Sequence, residues 1–159
     1  MSTEIEHLNE EDKEIILRAP ALVAILAAIS DDGEVSKHEK AESIKLAHFR
    51  TYTSAPILQN YYKEVDKVFE SYFDEEMAQL PEEWKDKEEH LEQKLTSLNQ
   101  VLPKMDDVYA QTLVKSLKSF AKHVFKSNSS FLEYFVLPVF MNKVEKESFD
   151  MHLGEEEEE

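Results

Sequence analysis

The chain has 159 residues, of which 34 are acidic and 18 basic, and its formal net charge is −16. This charge and the lack of a Lys/Arg cluster argue against binding to nucleic acid or anionic lipid. It has no cysteine, which excludes disulfides and thiolate chemistry. A hydrophobic content of 42% supports a folded core, and two glycines and five prolines are too few for a turn-rich β protein, so we predict one all-α domain.

The first third of the chain predicts two helices separated by a proline. Residues 1–8 form a polar lead-in that is expected to be flexible and has no signal-peptide pattern, which favours a cytoplasmic protein. Asn9 is a predicted N-cap for a helix that ends near Arg18, because Pro20 interrupts a helix or begins a new one. The helix from Pro20 to Ser30 is apolar on every side, so we place it at the centre of a bundle.

A short turn then leads into a third and a fourth helix. Gly33 is predicted to end the second helix in the left-handed conformation, and Ser36 with Glu39 forms a capping box that begins the third. The third helix runs to about Tyr52, and its predicted buried residues are Ala41, Ile44, Ala47 and His48. Pro56 begins the fourth, whose apolar face comprises Ile57, Leu58, Tyr61, Tyr62, Val65, Val68, Phe69, Tyr72 and Phe73.

The second half of the chain predicts three further helices. Asp74 to Glu83 is a bend or loop, and Trp84 to Leu102 is a highly charged helix with one packing seam of Leu91, Leu95, Leu98 and Leu102. Asp106 is a predicted N-cap for the next helix, whose apolar face comprises Val108, Tyr109, Leu113, Val114, Leu117, Phe120, Ala121, Val124 and Phe125.

The C-terminal part begins with a second capping box, Ser130 with Glu133. It opens a central helix over Phe131–Val144 that Pro138 interrupts. Residues 151–159 end in five glutamates and are predicted to form a disordered acidic tail. The predicted fold is therefore a single-domain bundle of about seven helices over residues 9–150. The runs LVAILAAISDDGEVSKHEKAE and LVKSLKSFAKHVFKSNSSFLEYF indicate a loose internal repeat.

Four carboxylates surround the first inter-helix turn: Asp31, Asp32, Glu34 and Glu39. In the register of a calcium loop, Gly33 is the central glycine and Glu39 the glutamate at position twelve, but Ala28 falls at position one and cannot ligate. The turn is therefore not a working EF-hand. Two interpretations stay open, namely a pair of helix caps or a site for calcium or magnesium formed by these carboxylates.

The run ISDDGEVSKHE has the pattern D-G-x-[VIL]-[ST]-x-x-E between two helices and resembles the TerB-like family of tellurite-resistance proteins. Relatives of that family include the N-terminal region of membrane-anchored DnaJ-type co-chaperones. The motif covers about Leu22–Glu42, whereas the helical pattern agrees over about residues 10–150. The resemblance implies a helical bundle, a role in metal or stress response and action through partner proteins. It places the family's acidic turn on Asp32, Gly33, Glu34 and Glu39, beside Asp31, while KSNSSFLEY in the second half supplies only Glu133 as an acid.

Catalytic motifs are missing from the sequence. It contains no cysteine nucleophile, no G-x-S-x-G, no HExxH and no glycine-rich phosphate loop, so we expect no enzymatic activity. Of the histidines, His48 is predicted to be a hydrogen-bonded core residue and His123 a surface residue.

The predicted function is therefore a non-enzymatic one, in which the acidic turn meets a divalent cation or a basic partner protein. Neither nucleic-acid binding nor insertion into a membrane is expected, since the longest apolar run, Ala19–Ile29, is about half of a membrane span. Two alternatives stay open. One is a general protein-interaction module that uses the Trp84–Leu102 helix or the polyglutamate tail, and the other is a bundle with an apolar cavity for a small molecule. The sequence leaves the oligomeric state open.

Overall fold

The computed structural model describes the backbone of residues 3–125 and the side chains in that range, except those of residues 3, 4, 31, 32, 124 and 125. This part of the chain is all-α and contains no strand, which confirms the predicted fold class. In chain order its helices are α1 (Thr3–Glu6), α2 (Glu10–Asp32), α3 (Lys37–Thr53), α4 (Pro56–Ala78), α5 (Trp84–Thr96), α6 (Leu98–Val101), a 3₁₀ turn (Leu102–Lys104) and α7 (Asp107–Phe125). The helix over Phe131–Val144, the second capping box and the acidic tail lie outside the described residues, so the total of about seven helices stays a prediction.

The predicted break before Pro20 is wrong, because α2 is one helix of 23 residues with Pro20 inside it. Proline has no N–H, so the carbonyl of Ile16 loses its helical donor. The hydroxyl of Tyr61 on α4 donates to that carbonyl instead, at 2.7 Å. An internal proline costs about 3 kcal/mol. Burial of the five large aliphatic side chains between residues 22 and 29, each worth about 1.5–3 kcal/mol, outweighs that cost.

The central position of α2 is confirmed. Every residue from Ala19 to Ile29 is buried, and α2 packs against α3, α4, α5, α6 and α7. No helix among residues 3–125 is both long and apolar enough to cross a membrane.

The N-terminal lead-in contributes to the same core. Residues 1–8 were expected to be flexible, whereas Ile5 and Leu8 are only 3% and 8% exposed. Asn9 caps α2 as predicted, since its side-chain oxygen accepts the backbone N–H of Asp12 at 2.7 Å.

The helices α3 and α4 pack against each other, but α3 turns a different face to the core from the predicted one. Ala47 is buried and Ile44 half-buried, as predicted, whereas Ala41 and His48 are exposed. The buried positions are Ser43, Ala47, Arg50 and Thr51. His48 lies on the surface, with Nδ1 3.0 Å from Oδ2 of Asp66. The prediction was wrong because α3 has few apolar residues, so its sequence hardly distinguishes one face from another.

The apolar face of α4 agrees with the sequence pattern, apart from Ile57, which is 46% exposed in the first turn. Tyr62 and Phe69 on α4 pack against Phe120 of α7, with ring centroids 6.5 and 5.9 Å apart. α4 extends to Ala78, so the first half of the predicted loop over Asp74–Glu83 is helical and the second half is not. Asp106 caps α7 as predicted, by accepting the N–H of Tyr109 at 3.1 Å.

The charged segment after residue 84 is held on α2 by its leucine seam and by buried ion pairs. Leu91, Leu95, Leu98 and Leu102 are all buried, as predicted, but they lie on α5, α6 and the 3₁₀ turn and not on the single helix expected over Trp84–Leu102. The Glu76 carboxylate on α4 is fully buried and lies 2.9 Å from Nη1 of Arg18 on α2 and 3.1 Å from Nζ of Lys94 on α5. These contacts join three helices at one point.

Candidate binding groove

The acidic turn folds as its caps predict. Gly33 has φ of 84° and donates its N–H to the carbonyl of Ile29 at 2.8 Å, which ends α2 in a left-handed cap. Ser36 and Glu39 form the predicted capping box, in which Ser36 Oγ accepts the N–H of Glu39 at 3.0 Å and Glu39 Oε1 accepts the N–H of Ser36 at 2.8 Å. The local sequence is sufficient to produce this geometry.

The start of α5 covers the turn. Lys87 Nζ donates to the carbonyl of Gly33 at 3.1 Å, and a Cβ placed on Gly33 would lie 3.0 Å from Cε3 of Trp84. Because α2 has no basic residue in its own last turn, Lys87 supplies the positive charge that the carbonyl end of the helix dipole favours.

The predicted cation ligands are only partly placed. The side chains of Asp31 and Asp32 are outside the described set, Glu34 is exposed, and one oxygen of Glu39 is used in the capping box. Among the described side chains, no group of three or more histidines and carboxylates is arranged to hold a metal ion. A cation site at Asp31, Asp32, Glu34 and Glu39 therefore stays a prediction.

A groove of about 800 Å³, here called the Arg50 groove, lies between α3, the start of α4 and α7. Its apolar lining consists of Leu46, Phe49, Ala55 and Leu58. Its hydroxyl groups belong to Thr53, Ser54, Thr112, Ser116 and Ser119. Its ionisable residues are Glu42, Lys45, Arg50, Lys115 and His123. The sequence predicted none of this, because the α7 wall is far along the chain from α3 and the start of α4.

Arg50 is the most enclosed charge in the groove, with only 8% of its surface exposed. Its guanidinium lies 5.8 Å from the ring centroid of Tyr62 and 5.5 Å from that of Phe120, within the range of cation–π attraction. Nη1 donates to Ser116 Oγ at 2.9 Å and Nη2 donates to Ser119 Oγ at 3.2 Å. Ser116 and Ser119 are three residues apart on α7, so both hydroxyls face α3.

Arg50 differs from the other buried charges. Asp12, which is 3% exposed, is paired with Lys104 at 2.6 Å, and the buried carboxylate of Glu76 is paired with Arg18. No carboxylate of the described residues forms an ion pair with Arg50, whose recorded partners are neutral. A buried charge without a counter-charge is costly, and within residues 3–125 no carboxylate offsets the charge of Arg50.

Tyr62 does not supply the missing negative charge. Burial raises the pKa of Tyr62 above its ordinary value of 10, although the nearby Arg50 acts in the opposite direction. The phenol therefore stays neutral near pH 7, and its oxygen lies 2.6 Å from Ser116 Oγ.

The start of α4 adds a second positive element to the groove. Ala55, the N-cap residue, lines the groove and offers no side-chain cap, and the first turn of this 23-residue helix has no acidic residue. Neither the N-cap nor the first turn of α4 therefore supplies a carboxylate to the positive end of its dipole.

The groove is also cationic and has an aromatic rim. Lys45, Arg50 and Lys115 line it against one carboxylate, Glu42, in a chain whose net charge is −16. Phe49 in the lining is 61% exposed, and Tyr52 on the same helix is 68% exposed. Exposed aromatic residues beside a buried arginine are typical of surfaces that bind proteins.

Comparison of the chain with protein-family models, with curated proteins and with solved structures gives no match. The function is therefore inferred from the residues of the turn and the groove alone.

Proposed function

We propose that this chain is a non-enzymatic protein-interaction module that docks an acidic and partly apolar segment of a partner protein in the Arg50 groove. The observation that carries the proposal is the buried guanidinium of Arg50, which has no carboxylate partner among the described residues. A negatively charged side chain would satisfy it, while the apolar lining would bury the hydrophobic residues beside that side chain.

The charge of the whole molecule restricts the partner further. A net charge of −16 repels a uniformly acidic chain, so the acidic residues of the partner segment should be few and should face the groove. At physiological ionic strength, salt largely screens the repulsion between charges more than about 8 Å apart. The short, enclosed contact at Arg50 is screened less. We therefore expect binding to tolerate physiological ionic strength.

The polar groups of the groove are arranged for binding. Among the described residues, the hydroxyls of Ser116 and Ser119 are not paired with a general base. Ser116 Oγ accepts from Arg50 and lies beside the hydroxyl of Tyr62, and Ser119 Oγ accepts from Arg50. Within residues 3–125, neither serine is hydrogen-bonded to a histidine or a lysine that would act as its base.

A peptide selection tests the proposal. A displayed library of random peptides would be selected on the full chain, and the affinity of the recovered peptides would be measured by fluorescence anisotropy. We expect a consensus that combines Asp or Glu with apolar residues, and we expect Phe49→Ser to weaken binding about tenfold because its exposed ring is lost.

Val108→Ser is the matched control, since Val108 is 62% exposed and does not line the groove. It should leave the affinity unchanged. A basic consensus, or peptides that bind Phe49→Ser as tightly as the unaltered chain, would refute docking in the groove.

A second candidate is a TerB-like role in which the acidic turn binds a divalent cation, calcium or magnesium, or a basic partner. Two features of the turn support it. The caps at Gly33 and Ser36 hold the backbone of the turn between α2 and α3, and the carbonyl end of α2 already attracts one cationic group, Lys87. The carboxylates Asp31, Asp32 and Glu34 remain the proposed ligands, with Glu39 as the fourth.

Thermal unfolding tests this second candidate. Chelator-treated protein would be titrated with calcium, magnesium and zinc at matched ionic strength, and an ion at 100 times its dissociation constant should add about 2.7 kcal/mol. The effect should disappear when Asp32→Asn and Glu39→Gln are combined. Glutamine at residue 39 can still complete the capping box, so the helix start is kept. Equal stabilisation of both proteins would show that the ions act elsewhere.

A further inference from the structure

We propose that Arg50 forms a carboxylate-specific subsite in the Arg50 groove, which receives the side chain of one Asp or Glu of the docked segment. This inference rests on the proposed docking function and names the group that the groove recognises. Arg50 is enclosed, cationic and held in place on three sides, by Tyr62, by Phe120 and by the two serines of α7.

The guanidinium retains donors for a ligand. An arginine side chain has five N–H donors in a planar arrangement that matches the two oxygens of a carboxylate. In the groove, Nη1 and Nη2 donate to the hydroxyls of Ser116 and Ser119. Ser119 accepts from Arg50 through its oxygen, which leaves its own O–H able to donate to an incoming oxygen.

A carboxylate fits the charge of this subsite better than a phosphate does. A single guanidinium is enclosed here, while Lys45 is 73% exposed and lies 3.5 Å from Glu42. One buried positive charge is neutralised by one negative charge, and the second charge of a phosphate would meet only the exposed ammonium groups of Lys45 and Lys115. The net charge of −16 also repels a dianion more strongly than a monoanion.

The position of the groove supports the same ligand. Ala55 and Ser54 line it at the start of α4, whose first turn has no acidic residue, so the dipole of α4 adds to the potential around Arg50. An acidic side chain that enters the groove therefore meets one enclosed cation, one helix end and several hydroxyls.

The test uses the full chain, labelled with ¹⁵N, and the probe N-acetyl-glutamate methylamide, a blocked glutamate. We expect saturable shifts of the backbone amide signals of Thr53, Ser54, Ser116 and Ser119. N-acetyl-glutamine methylamide, which has the same shape without the charge, should give none. Equal shifts with the two probes would overturn the proposal. Tighter binding of inorganic phosphate than of the blocked glutamate would overturn its specificity for carboxylates.

Two variants test the role of Arg50. Arg50→Lys keeps the charge but loses the planar pair of donors, so affinity for the blocked glutamate should fall about tenfold. Lys67→Gln is the control for a change of charge, since Lys67 is outside the groove and 68% exposed, and it should leave the affinity unchanged. An Arg50→Lys variant that is folded and binds as tightly as the unaltered chain would contradict the inference.

The outcomes separate this inference from the docking function. If the blocked glutamate binds but no library peptide depends on Phe49, the subsite stands and peptide docking fails. If peptides bind in the groove and lose no affinity when each of their Asp and Glu residues is replaced by its amide, docking stands and the carboxylate subsite fails.

Discussion

The hydrogen bond between Tyr61 and the carbonyl of Ile16 should be coupled to Pro20. Tyr61→Phe removes the 2.7 Å bond and leaves the carbonyl without its donor, because Pro20 has no N–H to replace it. Tyr61 is fully buried, so no water reaches that carbonyl from this side. Loss of a buried hydrogen bond with an acceptor left unsatisfied costs about 1–3 kcal/mol.

The same change should cost less in a Pro20→Ala background. Alanine restores an N–H that can donate to Ile16 within the helix, so removal of the Tyr61 hydroxyl no longer leaves the carbonyl without a partner. Any cavity left by the proline ring is present in both Pro20→Ala proteins and cancels in the double-mutant cycle. We expect a coupling free energy of about 1–2 kcal/mol.

Urea unfolding followed by far-ultraviolet circular dichroism would measure the four free energies. For a chain of this length, 1 kcal/mol corresponds to about 2–4 °C in Tm, so a thermal scan provides a second measurement. Tyr62→Phe is the matched control, because the Tyr62 hydroxyl contacts Ser116 and its loss should cost the same in both backgrounds. If Tyr61→Phe costs the same in both backgrounds to within about 0.5 kcal/mol, the hydroxyl does not substitute for the missing N–H.

Three further changes should alter stability. Glu76→Ala leaves two cationic partners beside an empty buried site and should cost about 3–5 kcal/mol by urea unfolding, whereas Glu70→Ala, whose side chain is 63% exposed, should cost less than about 1 kcal/mol. Burial, together with neighbouring glutamates, raises the pKa of Glu92. Glu92→Gln should therefore stabilise the protein by a few tenths of a kcal/mol at pH 7 and give no gain below about pH 4.5. Burial raises the pKa of Tyr61 well above 10 and that of Tyr62 above 10, so the unfolded state loses these protons first. The free energy of unfolding should fall as pH rises past about 10, and less steeply in Tyr61→Phe; a fall of equal steepness would exclude Tyr61 as its source.

The features that the sequence predicts well are determined by neighbouring residues. Asn9, Gly33 and Ser36 each cap a helix through contacts within four residues, so the residue types alone indicate the geometry. The leucine seam of residues 91–102 and the face of α4 are equally local, because they depend on helical periodicity.

The features that the sequence does not predict depend on distant contacts. A break at Pro20 follows from the local rule for proline. In the structure, Tyr61 donates to the carbonyl of Ile16, 45 residues earlier in the chain, and replaces the missing N–H. In the sequence, Arg50 has the pattern of a surface residue in a polar helix. In the structure, α7 packs over it, and Ser116 and Ser119, 66 and 69 residues later in the chain, accept its hydrogen bonds. The buried stripe of Ser43, Ala47 and Arg50 is of mixed polarity, so it gives weak evidence for a buried face in the sequence of α3.

The two candidate sites lie at opposite ends of α3. The dipole of this helix is therefore an alternative explanation, without a ligand, for the charged residue at each end. Glu39 is in the first turn of α3 and Arg50 is in its last turn, so each complements the helix dipole. Glu39 and Arg50 are separated by a helical rise of about 16 Å, about twice the screening length of about 8 Å, so their two charges interact weakly.

The dipole accounts for Glu39 but not for Arg50. Glu39 also completes a capping box, and such roles explain its presence without any ligand. A positive charge at a helix end gains about 0.3–1 kcal/mol when exposed and about 2 kcal/mol at most when partly buried. Enclosing a guanidinium at 8% exposure costs several kcal/mol, and its partners within residues 3–125 are all neutral: two hydroxyls, the carbonyl of Ser116 and two aromatic faces. A glutamine at residue 50 would avoid this desolvation cost, whereas the proposed carboxylate ligand would offset it by pairing with the guanidinium.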